Sequence, residues 1–130
     1  MSRALTTVLL LVFSNVFMTT AWYWHLKSHA GGSGLRLRAL VGVIALSWLI
    51  ALPEYALQVP ANRAGHVNFG GPFTAPQLKV LQEAIALVVF TAFAVLYLRE
   101  KVRMNDVIAF MLVMTAVFVS MAGRGAPLTE

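Results

Sequence analysis

Apolar residues fall along this chain in four long runs separated by three polar connections. The runs read Ala4 to about His25, Ala39 to Val59, Gln77 to Leu98 and Asn105 to Ala122. Each is long enough to cross about 30 Å of hydrocarbon, which takes roughly 20 helical residues. Membrane strands would alternate apolar and polar residues over about ten positions, and no stretch here alternates. The pattern predicts an all-α membrane protein: four transmembrane helices in an antiparallel up-down bundle. It forms a single integral membrane domain over residues 1–130, with both termini on the side of the second connection.

The connections differ in kind. The first, Lys27 to Arg38, is basic and carries Gly31-Gly32-Ser33-Gly34, a linker that lacks the Lys-Ser/Thr of a phosphate-cradling loop. The third, Arg99 to Arg103, is short and mostly basic. The second, Pro60 to Pro76, holds three prolines and three glycines and is expected not to continue a helix. Arg3 followed by apolar sequence, with Ser28-His29-Ala30 further on, loosely fits a secretory signal. The apolar stretch is too long for a signal core, however, and ends in Trp22-Tyr23-Trp24, an interface anchor. Cations favour one side weakly. Lys27, Arg36, Arg38, Arg99, Lys101 and Arg103 lie on the side of connections one and three, against Arg3, Arg63, Lys79 and Arg124. The positive-inside rule then places connections one and three in the cytoplasm and both termini outside. So weak a bias also fits insertion both ways, with two copies paired antiparallel and supplying the symmetry that many transporters draw from inverted repeats.

Composition narrows the classes. Of the 130 residues, 59% are hydrophobic and 12% charged, where a soluble domain carries about a quarter charged. Disordered chains are poor in apolar residues, so that class is excluded too. The net charge of +5 sits in the gaps between apolar runs, which suits lipid headgroups better than nucleic acid. With no cysteine there is no disulfide, thiolate metal site or thiol nucleophile.

Ionisable groups inside a span are costly and mark candidate sites. Glu54 lies in the second run, about five residues past its midpoint, and Glu83 in the third, about five before its midpoint. The chain reverses between them, so both are expected at similar depth, where two carboxylates can share a proton or a cation. Lys79 stands one turn before Glu83 and can neutralise it. Glu54 has no cation at helical spacing, and its structural alternative is a hydrogen bond to Gln58, Gln82 or a loop amide. Pro53 leaves the Leu49 carbonyl without its usual donor and predicts a bend beside Glu54. Asn15 sits at the middle of the first run, with Ser14, Met18, Thr19 and Trp22 on adjoining faces. Trp22, Trp48 and Tyr55 offer aromatic faces to an organic cation. His25 and His29 have the spacing of a helical metal pair but no third ligand, so no metal or other cofactor is expected. No Ser/His/Asp constellation is legible, and an enzyme is not expected. Ala116 and Ser120 form a small-xxx-small pair followed by Gly123, a natural seam between copies.

Three stretches carry a resemblance: SNVFMTTAWYWHLK (Ser14 to Lys27), ALPEYALQVPANRAG (Ala51 to Gly65) and FTAPQLKVLQEAIALVVFTAFAVLYLREK (Phe73 to Lys101). Through them nearly the whole chain resembles a small four-helix family of unknown function placed in the drug/metabolite transporter (DMT) superfamily. More distantly it is similar to the small multidrug resistance proteins, four-helix chains that act as antiparallel dimers and exchange protons for cationic compounds through a glutamate in the first helix. Registering the first run by Thr19-Thr20 and Lys27 places Asn15 where that glutamate would stand. Asn cannot titrate, so the likeness does not carry that mechanism, and Glu54 or Glu83 would have to serve. The terminal pair LREKVRMNDVIAFMLVMTAVFVSM also looks like the superfamily's, with Glu100 at its acidic position, but Arg99, Ala109 and Ala116 replace its usual glycines.

The combined expectation is a small-molecule transporter of the bacterial plasma (inner) membrane. It would be a homodimer, proton-coupled, with a cationic or metabolite substrate and a site formed by Asn15, Trp48, Glu54, Tyr55, Gln58 and Glu83. The alternative is a non-transporting membrane protein that binds a partner or lipid and uses Glu54 and Glu83 as hydrogen-bond anchors.

Overall fold

The computed structural model describes residues 1–28 and 36–122. His29, Ala30, Gly31 to Gly34, Gly123 and Arg124, named above, lie outside the described residues. Among the described residues, helices α1 (Arg3–Ser28), α2 (Leu37–Gly65), α3 (Ala75–Phe93) and α4 (Met104–Ala122) account for the four spans, and a π-helical turn, Ala94–Leu98, extends α3. All four are long and apolar enough to cross a bilayer.

Side-chain contacts fix the directions. Thr7 meets Gly65, Ser14 meets Gln58, and Trp24 meets Ser47, so α1 and α2 run antiparallel in constant register. Tyr23 packs on Phe90 and Thr7 lies near Leu78's partner Gly65, so α3 runs parallel to α1. Gln77 reaches Ser120, so α4 runs back along α3. Up and down alternate, but the helices form a row, α2–α1–α3–α4. The α1–α2 seam is the most extensive, and α4 packs chiefly on α3.

The core is polar where a soluble core would be apolar. Thr7, Leu11, Ser14, Asn15 and Thr19 follow one face of α1 at helical spacing, and all are buried, as are Gln58, Ala61 and Gly65 opposite. Apolar side chains such as Phe13, Trp48, Leu52, Met111 and Phe118 are exposed instead. In lipid this inversion is favourable, because hydrocarbon solvates the outer apolar side chains and polar groups find donors and acceptors only inside.

Two boundaries differ from expectation, and both have physical reasons. α2 does not stop at Val59 but continues through Pro60 to Gly65. Pro60 removes one amide donor, yet the turn it begins places Ala61 and Gly65, two small residues four apart, against α1 with no exposure of Ala61. Close packing offsets the lost hydrogen bond. The helix also runs without interruption through Pro53. At the start of α3, Thr74 caps the helix and Pro76 sits in its first turn, where a missing amide costs nothing, so α3 begins two residues before Gln77.

Between them, residues 66–74 form a tight link. Val67 N donates to the Phe73 carbonyl (2.9 Å), Phe73 N to the Gly65 carbonyl (2.9 Å) and Gly71 N to the His66 carbonyl (2.9 Å). Gly71 lies so near the Gly65 backbone that no side chain fits. Arg3 closes the link by donating to the Phe69 carbonyl. At the other end of α3, Arg99 adopts φ 60°, the left-handed conformation that ends the π turn, with Glu100 N donating to the Ala94 carbonyl at 3.0 Å. This is a glycine-like position occupied by an arginine.

Candidate functional site

Three of the six expected residues, Asn15, Glu54 and Gln58, stand at the polar seam between α1 and α2. Ser14 Oγ lies 2.9 Å from Gln58 Oε1 and 3.2 Å from the Glu54 carbonyl, so a single hydroxyl proton ties α1 to two turns of α2. Asn15 is 1% exposed and donates from Nδ2 to the Leu11 carbonyl at 2.8 Å, while its Oδ1 has no hydrogen-bond partner among the described residues. Glu54 is half-buried one turn before Gln58. None of the described residues forms an ion pair or hydrogen bond with its carboxylate. Because α2 is longer than expected, Glu54 stands three residues past that helix's midpoint rather than five past the midpoint of a shorter one.

Trp48 and Tyr55 are each 65% exposed. They stand on the outer surface of α2, away from Asn15 and Gln58, and the structure does not gather them into the seam. The aromatic side chains that α1 brings inward are Tyr23, whose ring meets that of Phe90 at 4.8 Å with a 57° tilt, and Trp24, whose Nε1 donates to Ser47 Oγ at 3.0 Å.

Glu83 belongs to a different neighbourhood. It pairs with Lys79 at 2.5 Å, as the one-turn spacing allows, and both side chains are more than half exposed. With α1 standing between most of α2 and α3, nothing among the described residues joins Glu83 to Glu54. Glu83 instead lines a groove of about 320 Å³ between α1 and α3, together with Met18, Thr19, Trp22, Tyr23, Ala86, Leu87 and Phe90. That volume is within the range of small-molecule sites, about 300–1,000 Å³. A carboxylate, a nearly buried hydroxyl at Thr19 and three aromatic side chains in an otherwise apolar wall can hold a cation with a hydrophobic body.

Glu83 lies eight residues into α3, about 12 Å along its axis, so the groove is within the membrane span. Sequence reasoning selected Glu83, Thr19 and Trp22 separately but did not join them. The signal that could have done so is the parallel pairing of α1 with α3, which follows from an even number of crossings. The Thr7 contact and the Ala61–Gly65 pair were missed, although Thr7, Leu11, Ser14 and Asn15 share one helical face and were there to be read.

The family described as "Putative member of DMT superfamily (DUF486)" matches residues 7–121, which include the seam, the groove, α2, α3 and nearly all of α1 and α4. This chain belongs to that family. With its four long apolar helices it is an integral membrane protein, and the description of its family sets it beside a transporter superfamily. No curated protein and no solved structure matches it. Within this DMT-family chain no three His, Cys, Asp or Glu side chains gather among the described residues as a metal site would require.

Proposed function

We propose that this DMT-family protein is a small-molecule transporter whose ligand is an organic cation held in the α1–α3 groove. Glu83 supplies the charge, and Trp22, Tyr23 and Phe90 the aromatic faces. The observation that carries this reading is the position of the Glu83 carboxylate in the wall of that groove, within a span. The resident partner of Glu83 is the Lys79 ammonium, so an arriving cation replaces one tethered by its own helix. A proton arriving at Glu83 would release the ligand by the same competition, which makes proton exchange the natural coupling. Glu54 is the second carboxylate of this scheme, set beside the Ser14–Gln58 hydrogen bond.

A pair of copies suits the geometry. A row of four helices encloses no central cavity, and α4 buries none of its described residues, which leaves Ala116 and its neighbours free for a second chain. Two copies rocking about a shared seam would supply alternating access. The bacterial plasma membrane is the expected location.

The test is flux in proteoliposomes with an imposed pH gradient, using fluorescent organic cations. Wild-type protein should accumulate them, and Glu83→Gln should abolish accumulation while remaining folded. If the wild type moves none of them, or Glu83→Gln moves them unchanged, the reading fails. The Lys79–Glu83 pair also favours a second reading, in which the two charges only neutralise each other in a non-transporting membrane protein. In that case Glu83→Gln would change stability and nothing else.

A further inference from the structure

A second hollow, separate from the cation groove, lies where α2 ends and α3 begins. It measures about 440 Å³ and is lined by Asn62, Arg63, His66, Asn68, Phe69, Ala75, Leu78, Lys79 and Gln82. Two cations and three carboxamides face one space, and no carboxylate lines it. We infer that this hollow is a binding site for a phosphate group, supplied by an anionic phospholipid headgroup or by a phosphate-bearing solute.

Four observations carry the inference. The first is charge held in place. The Arg63 guanidinium rests 4.7 Å over the Phe69 ring and forms no ion pair among the described residues, so its N–H edge is oriented and available. The Phe69 backbone is itself fixed by Arg3, and the residue ends the 3-10 turn Val67–Phe69 that Gly70 caps in the left-handed conformation. The second is that the walls are built. The Val67–Phe73 and Gly65–Phe73 hydrogen bonds and the close Gly65–Gly71 approach hold the two helix ends together, so the hollow is part of the fold.

The third observation is donor chemistry. His66 Nδ1 accepts from Asn68 N at 3.1 Å, which leaves Nε2 as the protonated nitrogen of the neutral ring. Asn62, Asn68 and Gln82 add amide donors, and the start of α3 adds its positive dipole end. The fourth is depth. The 29 residues of α2 extend about 43 Å, more than the roughly 30 Å of hydrocarbon, so helix ends stand at headgroup level. Arg63 is in the last turn of α2 and Lys79 in the second turn of α3, where a lipid phosphate would be.

Lys79 faces this hollow while pairing with Glu83, which lines the cation groove. A phosphate in the hollow would compete with Glu83 for the ammonium. The phosphate site does not depend on the transport reading, since the hollow stands whether or not the groove carries a substrate.

The experiment uses the full chain in nanodiscs of phosphatidylcholine, with or without phosphatidylglycerol, and in phosphatidylcholine discs with added inorganic phosphate. The readouts are the lipid ratio retained on detergent extraction and the melting temperature. Phosphatidylglycerol should be retained preferentially. Arg63→Gln and Lys79→Gln should each cut that preference about fivefold, while Arg103→Gln, which removes the same charge at the opposite membrane face, should not. Arg63→Lys keeps the charge and should retain most of the preference.

If inorganic phosphate alone raises the melting temperature, and Arg63→Gln removes the effect, the site stands and its ligand is a solute. The inference is overturned if neither probe has an effect, if Arg103→Gln matches Arg63→Gln, or if Arg63→Lys binds no better than Arg63→Gln.

Discussion

Ser14 on α1 and Gln58 on α2 meet at 2.9 Å through one buried hydroxyl, and this bond closes the middle of the polar seam. Inside a membrane such bonds are worth less than intuition suggests, averaging about 0.6 kcal/mol with a maximum near 1.7, because the separated helices find other partners. Ser14→Ala should therefore cost about 1 kcal/mol. Gln58→Leu alone should cost a similar amount, and the double variant less than the sum. Equilibrium unfolding in bicelles measures all three, and strict additivity would show that the two side chains do not interact.

Gly65 sets the approach of three elements. A Cβ there would stand 2.7 Å from Leu78 Cδ2 and 2.8 Å from Thr7 Cγ2, so Gly65→Ala should destabilise by about 1–3 kcal/mol through overpacking. Gly71→Ala should be worse, since its Cβ meets the Gly65 backbone, which cannot move aside as a flexible side chain can. Gly42, inside α2, has nothing within 4 Å, and Gly42→Ala should be neutral to slightly stabilising. Melting temperatures of the three variants should rank Gly42→Ala highest and Gly71→Ala lowest.

The helices were legible because lipid demands long apolar runs, and that demand is written residue by residue. The end of α2 was not, because Pro60 is a local stop signal overridden by a tertiary contact: Ala61 and Gly65 against α1. The separation of Glu54 from Glu83 was hidden for a related reason. Depth along a helix can be counted from sequence, but whether α1 stands between α2 and α3 depends on which small and polar faces pack together. Trp48 and Tyr55 were expected to offer aromatic faces to a cation at the Glu54 site, while helical rotation turns them outward. The resemblance to the DMT superfamily was legible in whole stretches, and its departure at Arg99 gains meaning only from the backbone angle found there.

Arg99 occupies a left-handed conformation at φ 60°, which costs a residue with a Cβ about 1–2 kcal/mol. Glycine would remove that strain but enlarge the unfolded ensemble, a loss of about 0.4–1 kcal/mol. Arg99→Gly should therefore be neutral to slightly stabilising, and Arg99→Val, with a branched Cβ, clearly destabilising. Unfolding midpoints in bicelles give the order directly. A stability loss for Arg99→Gly comparable to that for Arg99→Val would mean the guanidinium matters more than the backbone.

Trp22 and Trp48 are both exposed tryptophans in membrane helices, but only Trp22 shares a groove with Glu83. A cation–π contact contributes about 0.5–2 kcal/mol, so Trp22→Ala should weaken binding of an organic cation about fivefold. Trp48→Ala should leave it unchanged. Titration of a fluorescent cation into the purified protein separates the two, and equal losses would place the ligand elsewhere.

Asn15 poses a sharper choice, because its Oδ1 is buried without a partner among the described residues. Such an unsatisfied acceptor costs about 1–3 kcal/mol, and the Nδ2 bond to the Leu11 carbonyl returns only part of it. Asn15→Leu is close in volume and removes the cost, so it should raise unfolding stability by about 1 kcal/mol. A donor that arrives during transport, whether from ligand or from a moving helix, would recover that cost. Asn15→Leu should accordingly lower cation flux while stabilising the fold. A variant that is more stable and equally active would assign Asn15 to the seam alone, and one that is less stable would mean that Oδ1 finds a donor in the membrane.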